Sequence, residues 1–165
     1  MDSSFKIVSL TKKQLKEAID NNTYWQNNLV AMPKSKAQWL LKNERIVSED
    51  YVAVIGLENN EIIGYTLIIP DYIRTEENTI SKINWVHIWW VNEKYNDEIV
   101  GPFLFNKTVK ILNKNVLLNS YLENTNKFFK KGPFNIINKR LRFTIFFDLE
   151  PNIIISRFSF FKYLK

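Results

Sequence analysis

The chain contains no cysteine, one histidine and only four glycines. The first absence excludes disulfides and thiolate metal sites. A single histidine excludes a cluster of imidazoles, so no metal is expected. Nowhere do apolar residues run for the ~20 positions that a membrane-crossing helix needs. The opening residues, Met1-Asp-Ser-Ser-Phe-Lys6, offer no apolar stretch of the signal-peptide kind. Together these features give the expectation of a cytoplasmic protein without a membrane partner. No internal repeat and no Gly/Ser/Pro-rich linker interrupts the 165 residues. That length suits one domain, with a core over 5–147 and a C-terminal extension over 148–165.

What is present supports a well-filled core, since 45% of residues are apolar and 15% aromatic. Charge is divided unevenly. Residues 1–113 hold 13 basic and 14 acidic side chains, whereas 114–165 hold 10 basic and 3 acidic. A positive C-terminal part suits an anionic partner such as a phosphate-bearing cofactor, and a solvated basic surface is the plain alternative.

Periodicity and punctuation give a sequence of elements. Phe5 to Leu10 alternates as a strand. Thr11-Lys-Lys-Gln14 has the capping-box pattern and opens a helix with Leu15, Ala18 and Ile19 inward. Ser35-Lys-Ala-Gln38, after Pro33, repeats that signal before Trp39, Leu40 and Leu41. Two strands, Tyr51–Leu57 and Ile62–Ile69, flank the turn-type sequence Glu58-Asn-Asn-Glu61, and Pro70 is expected to end the second. Ile83 to Val91 carries large apolar side chains on both faces, as a central strand does. A helix from Gly101 or Pro102 to about Asn113 is expected to turn Phe103, Leu104, Val109 and Leu112 inward. Beyond it come a strand over Val116–Leu122, a short helix over Thr125–Lys131 and a strand over Arg140–Phe147. Ile153 to Phe161 suits either a strand or an amphipathic helix.

The order and several local sequences resemble the GCN5-related N-acetyltransferase superfamily over most of the chain. Glu58-Asn-Asn-Glu-Ile-Ile-Gly64 is similar to that family's hairpin entering its third strand. Val91-Asn-Glu-Lys-Tyr95 is similar to its exit from the fourth strand, and Phe129-Lys-Lys-Gly-Pro-Phe134 to a late Tyr-Glu-Lys-x-Gly-Phe segment. The resemblance implies an α/β fold (a mixed α+β sheet) of the acyl-CoA N-acyltransferase type. Its sheet would be mostly antiparallel, with helices on both faces.

The resemblance also implies acetyl-CoA as co-substrate, with its pyrophosphate held by main-chain amides at a loop and helix N-terminus. That loop usually reads Arg or Gln, two variable residues, Gly, one variable residue, then Gly or Ala. Here the stretch is Asn96-Asp-Glu-Ile-Val-Gly101-Pro102. Asn96 and Ile99 replace the first basic or amide residue and the first glycine, and Gly101 keeps the second. Asp97 places a carboxylate near the phosphates, Val100 lies between Ile99 and Gly101, and Pro102 removes one N–H. Val91 is the position whose main chain polarises the thioester carbonyl, and Lys130 is a candidate phosphate contact.

Acetyl transfer to an amine needs a base for the ammonium and an acid for the leaving thiolate. His87 lies four residues before Val91 on the strand that lines the family's catalytic cleft, and imidazole suits the base's task near neutral pH. A packed strand residue between Trp85 and Trp89 is the structural alternative. The family's acid position falls on Phe129, which has no proton to give, and Tyr121 is the nearby substitute. Trp85 and Trp89, with Trp90, would make an aromatic wall, or else core. Asp71 and Tyr72 would touch the acceptor from the end of their strand.

Two functions follow. One is an acyl-CoA-dependent N-acyltransferase, acetylating a small-molecule or peptide amine by direct attack. The other is a non-catalytic protein of the same fold that has lost coenzyme A affinity and docks an acidic partner. No nucleic-acid-binding module is recognisable, so no nucleic-acid partner is expected. The aromatic, basic end, Arg157-Phe-Ser-Phe-Phe-Lys-Tyr-Leu-Lys165, suits a homodimer contact, a domain edge or a surface helix.

Overall fold

A computed structural model describes residues 5–25, 32–74, 77–95, 99–118, 129 and 134. The chain divides into two compact units, Met1–Leu122 and Glu123–Lys165. In the second, the rings of Phe129 and Phe134 meet edge-on with centroids 5.3 Å apart. The expected helix over 125–131, apart from Phe129, and the elements from residue 140 onward lie outside the described residues.

In the first unit the elements run β1 (Phe5–Thr11), α1 (Lys12–Asp20), α2 (Lys34–Leu41), β2 (Tyr51–Glu58), β3 (Glu61–Arg74) and β4 (Ile80–Val91). A 3-10 turn (Glu93–Tyr95), α3 (Val100–Ile111) and β5 (Val116–Leu117) follow. The strands lie in the order β1-β2-β3-β4-β5. Pairing is antiparallel from β1 to β4 and parallel between β4 and β5. The expected mixed, mostly antiparallel sheet is therefore present, with an α-helical crossover leading into the parallel pair of β4 and β5.

Local chemistry explains most boundaries. At α1 the Gln14 amide donates to Thr11 Oγ1 at 3.3 Å and the Thr11 amide donates to Gln14 Oε1 at 3.0 Å, a complete capping box. The β2–β3 turn has Asn59 at φ 49° and Asn60 at φ 65°. Both lie in the left-handed region that a two-residue primed turn requires, and asparagine tolerates it.

Four expectations need correction. Helix α2 begins at Lys34, one residue before Ser35, with Pro33 as its cap and no side-chain cap bond. Proline's fixed φ suits a helix entry, and it displaces the serine from the capping role. Strand β3 does not stop at Pro70 but continues to Arg74. Pro70 sits opposite Asn84, whose amide points away from β3 to Asn115. Pro70 therefore occupies a non-hydrogen-bonded site and lies beyond the last β2 pair, Ala53 with Leu67. Its missing N–H leaves no ladder bond unmade. Strand β4 starts at Ile80, three residues early, because that longer β3 is there to pair with it. In α3, Phe103 is 50% exposed, while Gly101, Leu104, Phe105 and Thr108 are buried. The inner stripe follows the 3.6-residue period from Gly101, and Phe103 falls outside it.

The core has two layers. Leu15, Ile19, Ala37 and Leu40 pack with Ala53, Ile55 and Leu67 on the α1/α2 face of the sheet. Val54, Ile63 and Ile68 pack with Val100 and Leu104 on the α3 face. A buried hydroxyl pair fixes α3 to β3: Thr108 Oγ1 donates to the Leu104 carbonyl at 2.9 Å and lies 2.7 Å from Thr66 Oγ1. With its own proton so used, Thr108 accepts from Thr66.

Candidate functional site

The site begins with one extra residue in β4. Leu67 pairs with Ile88 and Ile68 pairs with Val86, so His87 has no opposite number on β3. This β-bulge bends the strand and re-aims the side chain it carries. His87 is exposed and lines a cleft of about 330 Å³ on the α1/α2 face. Pro33, Ser35, Lys36 and Trp39 from α2 and its cap, with Leu67 from β3, complete the described lining. The Trp39 ring lies 6.4 Å from the imidazole, tilted by 32°. His87 is therefore not a packed core residue between Trp85 and Trp89.

The bulge also divides the tryptophans. Trp85 pairs with Ile69, which packs on the α1/α2 core, so Trp85 faces that side. Trp89 pairs with Thr66 and stacks on Phe105 of α3, with centroids 4.9 Å apart. Trp90 returns to the α1/α2 side against Tyr65 at 5.5 Å. A two-residue alternation would put Trp85 and Trp89 on one wall, and the inserted residue between them separates the two.

On its other edge the start of β4 pairs with β5. Asn84 holds the start of β5 through two bonds to the Asn115 carbonyl, from its amide at 3.1 Å and its Nδ2 at 3.0 Å. Only the pairs Asn84–Val116 and Trp85–Leu117 follow. From Val86 to Val91 the described residues supply no further ladder on that edge. The Asn92 amide donates to the Ile63 carbonyl at 2.8 Å, so strand alternation turns the Val91 amide away from β3, toward that edge.

Helix α3 starts beside the C-terminal end of β4. Its cap residue, Ile99, offers no side-chain cap bond and is 67% exposed. The first-turn amides of Val100 and Gly101 have no intrahelical acceptor, and Pro102 has no N–H. A Cβ on Gly101 would lie 3.4 Å from Val91 Cγ2 and 3.5 Å from the Trp89 ring. Gly101 has no positive φ. Its missing side chain serves the close approach of α3 to β4, so amide donors stand next to the β4 end. An anionic group fits this turn, with one amide fewer than a proline-free turn would give.

Asp71 and Tyr72 lie within β3, with Tyr72 51% exposed. The Tyr72 amide donates to Asp71 Oδ1 at 2.9 Å and Arg45 approaches the same oxygen at 3.1 Å. The Tyr72 amide above all, helped by the Trp85 side chain and Arg45, holds the Asp71 carboxyl below its ordinary 3.8 against the opposing effect of burial. A lowered folded-state value means that Asp71 adds stability above the ordinary carboxyl range and loses it as pH falls through the lowered value. Asp71→Asn should cost roughly 0.5–1 kcal/mol near neutral pH and progressively less as pH falls below the ordinary carboxyl range, as read by urea unfolding across that range.

No protein-family model matches the chain, and no curated protein matches its sequence. Solved structures do match. An aminoglycoside acetyltransferase from an uncultured soil metagenomic sample, solved with trehalose, superposes with a TM-score of 0.58 at 14% identity, over 87% of this chain and 97% of that one. An acetyltransferase of Trypanosoma brucei gives 0.55 at 13%, over 86% and 100%. The aminoglycoside N-acetyltransferase AAC(6')-Iy in complex with CoA gives 0.51 at 14%, over 91% and 97%. The chain has the GCN5-related N-acetyltransferase fold.

Within this GNAT fold, His87, Val91, Ile99, Val100, Gly101, Trp85 and Trp89 gather around β4 and the start of α3. Asp71 and Tyr72 sit further along β3, beyond the cleft. Tyr121, Asn96, Asp97 and Lys130 lie outside the described residues. Sequence reasoning missed the contribution of α2 to the cleft, from Ser35, Lys36 and Trp39. The available signal was Trp39, a large aromatic between buried Ala37 and Leu40 that is 51% exposed. It also missed the Tyr95 hydroxyl donating to the Glu58 carboxylate, which ties the 3-10 turn to the β2–β3 hairpin. Among the described residues no helix is long and apolar enough to cross a membrane, and no acidic or His cluster of metal-binding size occurs.

Proposed function

We propose that the protein is an acyl-CoA-dependent N-acyltransferase that moves an acetyl group from acetyl-CoA to a primary amine by direct attack. The observation that carries this reading is the double use of β4. Its bulge turns His87 into a cleft on one face, and its C-terminal end sets the Val91 amide, turned away from β3, close to the first turn of α3.

The chemistry divides among these residues. The His87 imidazole takes one proton from the bound ammonium. The freed nitrogen lone pair forms the C–N bond while the Val91 amide polarises the thioester carbonyl. The C–S bond breaks with its electron pair on sulfur, and the second nitrogen proton goes to that thiolate. In this reading Tyr121 relays that last proton. The first-turn amides of Val100 and Gly101 receive the anionic end of the cofactor, with Lys130 adding positive charge.

The exposed Ile99 and the N–H lost at Pro102 favour a second reading, a binding protein of the same fold without coenzyme A affinity. Calorimetric titration with acetyl-CoA separates the two. Micromolar binding, weakened by Lys130→Glu and Lys131→Glu, is expected for the transferase. No binding at millimolar ligand would leave the second reading standing.

A further inference from the structure

The α2-side cleft has a composition that bears on the acceptor. Its described lining is apolar or aromatic at Pro33, Trp39 and Leu67, with Ser35, His87 and Lys36 as the polar members. Lys36 is exposed and makes no ion pair among the described residues. Among the described residues no carboxylate belongs to that lining, and Asp71, further along β3, is engaged by Arg45 and by the Tyr72 amide.

Such a surface is unsuited to a polycation. A second ammonium on the acceptor would meet Lys36 rather than a carboxylate, and like charges in one cleft oppose binding. A carboxylate meets a free lysine favourably. A ring or branched chain gains from Trp39, Leu67 and Pro33, which hold apolar surface next to the imidazole.

Resting on the acyltransferase reading, we propose that the acceptor is an amino carboxylate. It is a primary amine with an aromatic or branched apolar body and an anionic group that pairs with Lys36, and the aromatic amino acids are its simplest form. The amine reaches His87, the body lies against Trp39 and the carboxylate takes the lysine. The acceptor class then differs from the aminoglycosides that give several structural neighbours their names.

The test uses the full chain, acetyl-CoA and three acceptors: phenylalanine, phenylethylamine and spermidine, with thiol release as the readout. Phenylalanine should exceed phenylethylamine in kcat/KM by about tenfold, the worth of one charge-assisted contact. Spermidine should be poorest. Lys36→Glu, at an exposed position, should raise KM for phenylalanine by about tenfold or more with little change in kcat, and should bring spermidine above it. Spermidine preferred by the unaltered protein would overturn the proposal and leave acyl transfer intact. Acetyl-CoA binding with turnover of none of the three would also overturn the acceptor class alone. Failure to bind acetyl-CoA would remove both.

Discussion

Replacing His87 with glutamine should lower kcat for acetyl transfer by roughly 10²- to 10⁴-fold, the usual worth of a positioned general base. The unfolding free energy should stay within about 0.5 kcal/mol of the parent, as for other exposed positions outside the packed core. Exposure at the bulge is the reason for the second half of that expectation. A buried strand histidine would give the opposite pattern, a loss of stability with activity falling only as far as folding did. A mutant that keeps its rate would remove His87 from the mechanism.

The second large effect concerns stability and the seat of α3. Gly64 pairs with Val91 across β3 and β4. A Cβ there would lie 2.8 Å from Leu104 Cδ1 and 3.1 Å from the Trp90 carbonyl oxygen. Leu104 is fully buried, and a backbone oxygen inside a ladder has little room to retreat. Gly64→Ala should therefore destabilise by about 1–3 kcal/mol through overpacking. Leu104→Ala alone should cost about 2–5 kcal/mol through the space it leaves. In the double variant the new methyl enters that space, so the combined loss should fall short of the sum by about 0.5 kcal/mol or more. Strict additivity in urea unfolding would show that the two positions do not share this contact. Because Val91 and the start of α3 both lean on this point, Gly64→Ala should also weaken acetyl-CoA binding.

Much of the scaffold was legible because its signals are local. Thr11 and Gln14 write their capping box within four residues, and Asn59-Asn60 marks a turn that needs two left-handed residues. The strands of the hairpin carry continuous apolar runs that only a doubly covered sheet accommodates. What escaped was set by pairing across the sheet. Whether Pro70 ends a strand depends on which edge its nitrogen faces, and that is fixed by Asn84 and Asn115. The bulge at His87 arises from the register between β3 and β4. Nothing in Trp85-Val-His-Ile-Trp89 announces that the first and last tryptophans part to opposite faces. The base candidate was found because histidine occurs once. Its neighbours from α2 were missed because Lys36 and Trp39 lie about fifty residues away in sequence and meet it only through packing of the helix on the sheet.

In the proposed function the end of β4 at Val91 and the first turn of α3 together offer main-chain amides to a thioester cofactor. Amide nitrogen–proton spectra recorded during titration with acetyl-CoA address it residue by residue. Saturable shifts are expected at Val91, Val100 and Gly101, with Ala18 and Ile19 of α1 unmoved. Unchanged resonances at those three positions with millimolar acetyl-CoA present would contradict it.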